Sequence, residues 1–345
     1  MKASVAFFLC VSVAFGCSTD FSVPVEAQLG CASAADCPSG WACNEKVGRC
    51  VKTENMDTVA PQLVGDVIVD PPVLRKDRTA KVTFTVDEEL SSPPAVTLSA
   101  GTDRLLTPAS PVAPPAYVFS YTPAGDEPPG VESPISIVLA DKSGNQSGKL
   151  SGRSLRFDFI APSAQNVSIE GSPVMIGGGV AVRFALSEGP VNDPEVRFED
   201  GNLLVKDSAT EGLNYVYTGT ATGTETADGT EADFDVLVDA SDTAGNTLDS
   251  FDLGTVRFDF KKPALDGAPV VDPPAAKAGT FVTATFRVTE ELSAMPVVKV
   301  GGRGIPGKKE PGLEYVFGAA VEEGDPEGEQ AITIEFYDLA GNSSG

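Results

Sequence analysis

The chain has 345 residues, with 25 Lys or Arg against 49 Asp or Glu, so its formal net charge is −24. It contains no histidine, which excludes a Ser-His-Asp triad and any mixed Cys/His zinc site. Because binding a phosphate backbone needs a basic patch, the negative charge also argues against nucleic acid as a partner.

The amino end has the pattern of an export signal. An apolar run over residues 3–15 follows Lys2 and is too short to span a bilayer as a mature helix. It ends in Ala14-Phe15-Gly16-Cys17, which resembles the lipobox of bacterial lipoproteins. The resemblance implies a signal peptide over residues 1–16 and a membrane anchor through lipid on Cys17, with ordinary secretion as the alternative. It also implies an outer-membrane lipoprotein, at the cell surface or facing the periplasm.

A cysteine cluster follows a tether that we place at residues 17–30. The cluster defines a module over residues 31–51 and consists of Cys31, Cys37, Cys43 and Cys50. Four cysteines in an exported protein predict two disulfides, and sequence leaves all three connectivities open. The intervals hold five, five and six residues, longer than the ligand pairs of structural zinc sites. The module resembles short cysteine-rich repeats of bacterial surface lipoproteins and the amino-terminal Dickkopf pattern.

The remaining sequence repeats one unit three times. Prolines mark the start of each unit at a constant interval of 101 residues (162 − 61 and 263 − 162). Each unit also carries an Asp-x-x-Gly-Asn turn, which begins at Asp141, Asp242 and Asp338. We define repeat 1 as residues 57–160, repeat 2 as residues 161–261 and repeat 3 as residues 262–345.

Hydrophobic residues alternate with polar residues inside each unit, as at Val82, Phe84 and Val86. This period of two places one row of side chains in a core and the other in water. Short strands with Gly/Pro-rich turns predict an all-β chain of tandem immunoglobulin-like (Ig-like) Greek-key β-sandwiches after the small disulfide-stapled module. The landmarks over residues 57–345 resemble those of bacterial Ig-like domains of surface proteins, where the Asp-x-Ala-Gly-Asn turn is frequent.

Repeat 3 differs from the other two at its end. Repeats 1 and 2 finish with an Arg-Phe-Asp-Phe strand, at residues 156–159 and 257–260, whereas repeat 3 stops soon after its turn. We expect either a longer array, which is the favoured interpretation, or a strand supplied by another chain through edge pairing.

Acidic residues at strand ends and in turns are weak candidates for binding Ca²⁺, which takes oxygen ligands and would offset the negative charge. The candidates are Asp87, Glu89, Asp141, Asp242 and Asp338. In the alternative interpretation, the Asp residues only form the turns and the Glu residues only solvate a loop. No segment of the sequence matches an EF-hand loop or a glycine-rich calcium nonapeptide.

Catalysis has little support in the sequence. The adjacent carboxylates Glu88/Glu89 and Glu290/Glu291 are expected to point to opposite faces of a strand, so they cannot flank one bond. We therefore predict a non-enzymatic cell-surface lipoprotein, a rigid spacer or adhesin that presents binding surfaces away from the outer membrane. The alternative is a binding or assembly module for an extracellular polysaccharide or partner protein. No cofactor besides Ca²⁺ is expected.

Overall fold

The computed structural model describes residues 29–109, 114–225 and 231–344. The expected signal peptide and the expected lipid-bearing Cys17 lie outside these residues. The helices in the described ranges are single 3₁₀ turns, Ala34–Asp36 and Thr53–Asn55. None of the described helices has the length and hydrophobicity needed to cross a bilayer.

The cysteine-rich module is a small hairpin with two disulfides. Strands β1 (Trp41–Asn44) and β2 (Arg49–Lys52) pair antiparallel, with Cys43 opposite Cys50. The disulfides join Cys31 to Cys43 and Cys37 to Cys50. The expected number of disulfides is therefore confirmed, and the connectivity that the sequence left open is first to third and second to fourth.

Repeat 1 consists of two sheets. Its strands are β3 (Leu63–Asp70), β4 (Val73–Leu74), β5 (Ala80–Val86), β6 (Ala95–Ala100), β7 (Thr102–Leu105), β8 (Thr107–Pro108), β9 (Ala116–Tyr121), β10 (Ser133–Val138) and β11 (Leu150–Phe157). One sheet has the order β3-β5-β9-β8 and the other has the order β4-β11-β10-β6-β7. These orders correspond to the ABED and CFG sheets of the Ig fold, with an additional A′ strand, β4, paired parallel to the closing strand β11.

Repeat 2 has the same arrangement, except that isolated bridges replace the strands that would correspond to β4 and β7. Its strands are β12 (Ala164–Glu170), β13 (Gly179–Leu186), β14 (Glu195–Phe198), β15 (Val205–Lys206), β16 (Asn214–Thr220), β17 (Glu231–Ser241) and β18 (Thr247–Asp259). The sheet orders are β12-β13-β16-β15 and β14-β17-β18. The turn that begins at Asp242 joins the last two strands, β17 and β18, and β18 is the closing strand of the repeat.

Repeat 3 repeats the arrangement up to the strand before the turn. Its strands are β19 (Val270–Asp272), β20 (Phe281–Arg287), β21 (Val297–Val300), β22 (Arg303–Ile305), β23 (Gly307–Lys309), β24 (Glu314–Ala320) and β25 (Ile332–Glu335). The sheet orders are β19-β20-β24-β23 and β22-β21-β25. Within the described part of the chain, β25 is therefore the edge of its sheet.

The alternation of the sequence becomes the alternation of burial. In β5, Val82, Phe84 and Val86 are buried, whereas Thr83 and Thr85 between them are partly exposed and Lys81 before them is exposed. The central aromatic side chain of each repeat stacks between two others, with ring centroids 5.5–6.0 Å apart. These trios are Tyr117-Phe84-Phe119, Tyr215-Phe184-Tyr217 and Tyr315-Phe286-Phe317. The predicted fold, tandem Ig-like β-sandwiches after a disulfide module, is confirmed.

Contacts within the chain divide it into two compact units. The first comprises Met1–Asp70, Ala80–Tyr121 and Ser133–Ser154, and the second comprises Pro71–Thr79, Thr122–Glu132 and Leu155–Gly345. The first unit contains the cysteine-rich module and most of repeat 1. The second contains repeats 2 and 3 and three segments of repeat 1, residues 71–79, 122–132 and 155–160. Every junction described below lies within one of these units.

Candidate functional site

The Asp-x-x-Gly-Asn turn is built by the side chain of its first residue. Oδ1 of Asp242 accepts hydrogen bonds from the backbone N–H groups of Gly245 (2.7 Å) and Asn246 (2.9 Å), and Oδ2 accepts from Asn246 Nδ2 (2.7 Å). Asp242 is only 1% exposed, so these bonds satisfy a buried carboxylate. Gly245 has a φ of 92°, in the left-handed region that favours glycine. Asp141 and Asp338 form equivalent turns.

The asparagine of each turn also holds the segment through which the chain enters the repeat. Its Nδ2 donates to the backbone carbonyl oxygen of an aspartate that precedes the repeat or stands at its first position. The three pairs are Asn145 to Asp57 (3.1 Å), Asn246 to Asp158 (3.1 Å) and Asn342 to Asp259 (2.8 Å). The turn at the end of each repeat is therefore tied to the segment that leads into that repeat.

The preceding module contacts the same turn from its other side. In the cysteine-rich module, Asn44 Nδ2 donates to Ser143 O and Lys46 Nζ donates to Asn145 Oδ1, both at 2.6 Å. In repeat 1, Arg78 Nη1 donates to Ala244 O at 2.6 Å.

Repeat 2 reaches the last turn with a different side chain. A Cβ placed on Gly341 would lie 3.4 Å from Met175 Sδ. Three successive junctions therefore share one construction, in which a side chain of the preceding module lies against the turn of the following repeat.

Each junction gathers carboxylates. Three groups have one oxygen from each member within 4.8 Å of the others. We call them the junction triads: Asp57/Glu88/Asp141, Asp158/Glu188/Asp242 and Glu231/Asp259/Glu290. Asp338 is linked to the third triad through Asn342, whose Nδ2 donates both to Asp338 Oδ2 and to Asp259 O, each at 2.8 Å.

The central glutamate of each triad has a raised pKa. For Glu188 the largest cause is burial, followed by the charges of Asp158 and Asp242. The pKa of Glu88 is raised by burial and then by Asp141. The pKa of Glu290 is also raised, first by burial and then by Asp259. Like charges held together in this way favour either a proton or a cation.

The triads include only some of the residues that the sequence suggested as calcium ligands. Asp141 and Asp242 belong to triads, and Asp338 is next to one. Asp87 lies outside, with its Oδ1 accepting from Gln62 N (2.8 Å), and Glu89 instead forms an ion pair with Lys142 Nζ (2.7 Å).

Sequence reasoning missed several triad members. The entry aspartates carry a signal that could have found them, since Asp57, Asp158 and Asp259 are spaced by the repeat interval of 101 residues. The central glutamates recur less regularly, because the interval from Glu88 to Glu188 is 100 residues and from Glu188 to Glu290 is 102.

The donor set of the triads fits a hard cation. Carboxylate oxygens are the ligands that Ca²⁺ prefers, and Ca²⁺ completes its shell of six to eight with carbonyls and water. In the third triad, Oε1 of Glu290 is buried and has no hydrogen-bond partner among the described residues. An orphaned buried oxygen in an acidic group is what a cation would satisfy. Calcium binding stays a prediction that this geometry favours.

Comparisons with known proteins find structures of low similarity and no matching sequence family. No protein-family model matches the sequence, and no curated protein sequence matches it significantly. A structure from a bacterial ice-binding adhesin aligns over 84% of this chain and 96% of its own, with 16% identity and a TM-score of 0.37. A fragment of the ICAM-5 ectodomain aligns over 81% and 75%, with 19% identity and a TM-score of 0.31.

The fibronectin(III)-like modules of Clostridium thermocellum CbhA align over 56% of this chain and 94% of theirs, with 17% identity and a TM-score of 0.31. Because these three TM-scores are below 0.5, the Ig-like assignment rests on the strand order within this chain. The fold and the repeated junctions together define a tandem Ig-like β-sandwich protein.

Proposed function

We propose that this protein is a non-catalytic spacer or adhesin stalk of the bacterial cell surface. The observation that carries the proposal is the repeated junction, in which the same turn holds both its own entry segment and the module before it. Tandem domains joined by exposed linkers are expected to move independently. Here the linker carbonyl and the neighbouring loop are both hydrogen-bonded to one buried turn at the junction between repeats 1 and 2. Junctions held by such hydrogen bonds restrict motion between neighbouring repeats and therefore favour a stiff array.

The stiffness of a junction can be tested by removing its two contacts. In the double variant Arg78→Ala/Asn246→Ala, both donors to the junction between repeats 1 and 2 are lost. We expect small-angle X-ray scattering to give a broader distance distribution than for the wild type, with an unchanged far-ultraviolet dichroism spectrum. The matched control is Arg153→Ala/Asn202→Ala. Each of these side chains binds an exposed aspartate of its own repeat, Asp66 for Arg153 and Asp200 for Asn202. Superimposable curves for all three proteins would overturn the spacer proposal.

The spacer needs an attachment point, and we propose lipid on Cys17 after export. Two disulfides support an oxidising compartment for the mature protein. The wild-type protein is expected to partition into detergent, and Cys17→Ala is expected to move it to the soluble fraction. A wild-type protein that is itself soluble would contradict the anchor and leave the spacer proposal standing.

We further propose that calcium binds at the same junctions. A cation held by a junction triad would remove the repulsion among its three carboxylates. In the first two triads it would also link the entry segment, the strand end and the turn. We therefore expect millimolar Ca²⁺ to raise the melting temperature relative to chelator. Equal melting temperatures would contradict a calcium role.

A further inference from the structure

Repeats 1 and 2 present the same four-residue loop to the turn of the following repeat. The loops are residues 75–78 and residues 175–178, and each directly follows the residue that pairs with the closing strand, Leu74 or Val174. In both loops the N–H of the fourth residue donates to the carbonyl oxygen of the first, at 3.3 Å in repeat 1 and 2.9 Å in repeat 2. Their sequences differ at every position, since the first loop is Arg-Lys-Asp-Arg and the second is Met-Ile-Gly-Gly.

In repeat 1 the loop holds the next turn with arginine. Arg78 Nη1 donates to Ala244 O at 2.6 Å and to Thr243 O at 3.4 Å. A Cβ placed on Gly245 would lie 3.4 Å from Arg78 Nη1 and 3.5 Å from Arg75 Nε. This contact depends on guanidinium groups, which stay charged at every physiological pH and contain no sulfur.

In repeat 2 a thioether takes the place of the arginine. A Cβ placed on Gly341 would lie 3.4 Å from Met175 Sδ and 3.9 Å from Met175 Cε. No side chain of residues 173–178 carries an N–H or O–H group, so this loop cannot donate a hydrogen bond as Arg78 does. On the side of the preceding repeat, the junction between repeats 2 and 3 therefore relies on contact with a soft sulfur atom.

Met175 is accessible to an oxidant in solution, because the residue is 37% exposed. Hydrogen peroxide converts a thioether into a sulfoxide. The sulfur forms a bond with one peroxide oxygen, the O–O bond breaks, and the other oxygen takes the proton and leaves as water. Sulfur is oxidised by two electrons and the peroxide is reduced by two. The product is a polar side chain whose oxygen accepts hydrogen bonds.

The turn presents an acceptor to that oxygen. In the equivalent turn of repeat 2, the carbonyl oxygen of Ala244 faces the preceding repeat, because Arg78 donates to it. The N–H of Gly341 is already used, since it donates to Asp338 Oδ1 at 2.7 Å. A sulfoxide on Met175 therefore places an acceptor against an acceptor, which weakens the contact.

We propose that Met175 is an oxidation site through which peroxides loosen the junction between repeats 2 and 3. The sulfoxide displaces the loop of repeat 2 from the turn of repeat 3, and the two repeats then move more independently. The junction between repeats 1 and 2, which Arg78 holds, does not respond. The proposal rests on the proposed spacer function only in requiring that the unoxidised junction is held.

The test measures the distance between repeats 2 and 3 in the full chain. Spin labels on non-natural keto residues at the exposed positions Ser208 and Glu323 are read by double electron–electron resonance. We expect a narrow distance distribution whose width grows about twofold or more after dilute hydrogen peroxide, because the sulfoxide disrupts an apolar contact. Mass spectrometry should show the gain of one oxygen on the peptide that contains Met175.

Substitutions at Met175 separate a loosened junction from general oxidative damage. Met56 and Met295 are 37% and 45% exposed, so they stay oxidisable in every variant. Met175→Leu keeps an apolar side chain of similar volume, and its distribution should stay narrow before and after peroxide. Met175→Gln places a polar group at the contact and should give a broad distribution without peroxide.

The possible outcomes distinguish this proposal from the spacer function. A distribution that stays narrow although Met175 is fully oxidised would overturn the oxidation site and leave the spacer function standing. Equal broadening in Met175→Leu would do the same. A wild-type distribution that is already broad before oxidation would contradict both proposals, because the junction would then not be held.

Discussion

Repeats 2 and 3 share their strand order up to the turn, yet among the described residues only repeat 2 carries a closing strand beside its core. In repeat 2, Val236 and Val238 are 0% exposed, and β18 adds Val256 and Phe258 beside them. In repeat 3, Ile332 and Ile334 occupy the equivalent positions and remain partly exposed. Alternation in sequence therefore specifies which side chains face the core, but a neighbouring strand decides whether they are buried.

The difference is confined to one sheet. The stacked aromatic trio on the other sheet is buried in both repeats, with Phe184 at 2% and Phe286 at 3% exposure. Its ring distances are also alike, from 5.5 to 6.0 Å in repeat 2 and 5.8 Å in repeat 3. The aromatic side chains on the ABED sheet are thus buried whether or not the closing strand is present.

The largest effect is expected from removing the aromatic side chain that closes repeat 2. Phe258 is 1% exposed and packs edge-to-face against Phe198, Phe234 and Phe260. Phe258→Ala should lower the free energy of unfolding of repeat 2 by about 3–5 kcal/mol, because a cavity remains. Urea titration read by hydrogen-exchange mass spectrometry measures it. The control Phe281→Ala, at a site 60% exposed, should cost well under half as much, and equal losses would contradict the comparison.

The same substitution can be made in a closed and in the open repeat. Ile137→Ala in repeat 1 removes a side chain that is 0% exposed and should cost about 2–5 kcal/mol. Ile334→Ala stands at the equivalent position in repeat 3 and should cost less than half of that, because water already reaches the side chain. Urea unfolding of both variants tests this. A larger loss from Ile334→Ala would mean that the core of repeat 3 is closed.

Unlike core substitutions, equivalent substitutions at the junctions should lower stability by similar amounts in repeats 2 and 3. Asn246→Ala and Asn342→Ala each leave a backbone carbonyl and a buried aspartate oxygen without the donor, at a cost of about 1–3 kcal/mol. The control Asn202→Ala loses only an exposed bond to Asp200 and should change stability by less than about 0.5 kcal/mol. Thermal unfolding of the three variants is the measurement, and a strong effect in only one repeat would show that the junctions differ.

The smallest expected effect is the pH-dependent contribution of the junction triads to folding stability. The folded-state pKa of Glu188 is raised above its ordinary value of 4.5, so the folded state binds the proton more tightly than the unfolded state. Stability from this group therefore falls as pH rises from 4.5 through the raised pKa, and stays reduced above it. In chelator at neutral pH, Glu188→Gln should raise the melting temperature, and the gain should vanish below pH 4.5.

Calcium binding would reverse the expected effect of Glu188→Gln on the melting temperature. If the junction triad binds the cation, Glu188→Gln loses a ligand and melts below the wild type in millimolar Ca²⁺. The same stabilisation with and without Ca²⁺ would count against the metal. Glu290→Gln, in the third triad, is expected to behave in the same way because the pKa of Glu290 is also raised.

The fold could be predicted from the sequence because its information is local and repeated. Residues such as Val82 and Phe84 alternate within one strand, and the turn aspartates recur in every unit. The disulfide connectivity could not be predicted, because any of the three pairings satisfies the same spacing. In the structure, Cys43 and Cys50 lie opposite each other in β1 and β2, yet each bonds a cysteine outside the hairpin.

The candidate site was only partly predictable. Strand β5 ends at Val86, so Asp87, Glu88 and Glu89 lie in a bend where the period of two no longer tells which side chain turns inward. The structure brings Glu88 to Asp57 and Asp141, while Asp87 and Glu89 bind elsewhere. Long-range proximity of this kind comes from packing, which a single sequence does not encode locally.

The central claim is that one unit is built three times and that the closing strand decides whether its core is sealed. Hydrogen-exchange mass spectrometry on a polypeptide limited to residues 1–345 tests this most directly, by comparing the amides of residues 236–238 with those of residues 332–334. The account predicts strong protection in repeat 2 and much faster exchange in repeat 3. Equal protection of the two segments in the isolated chain would contradict it.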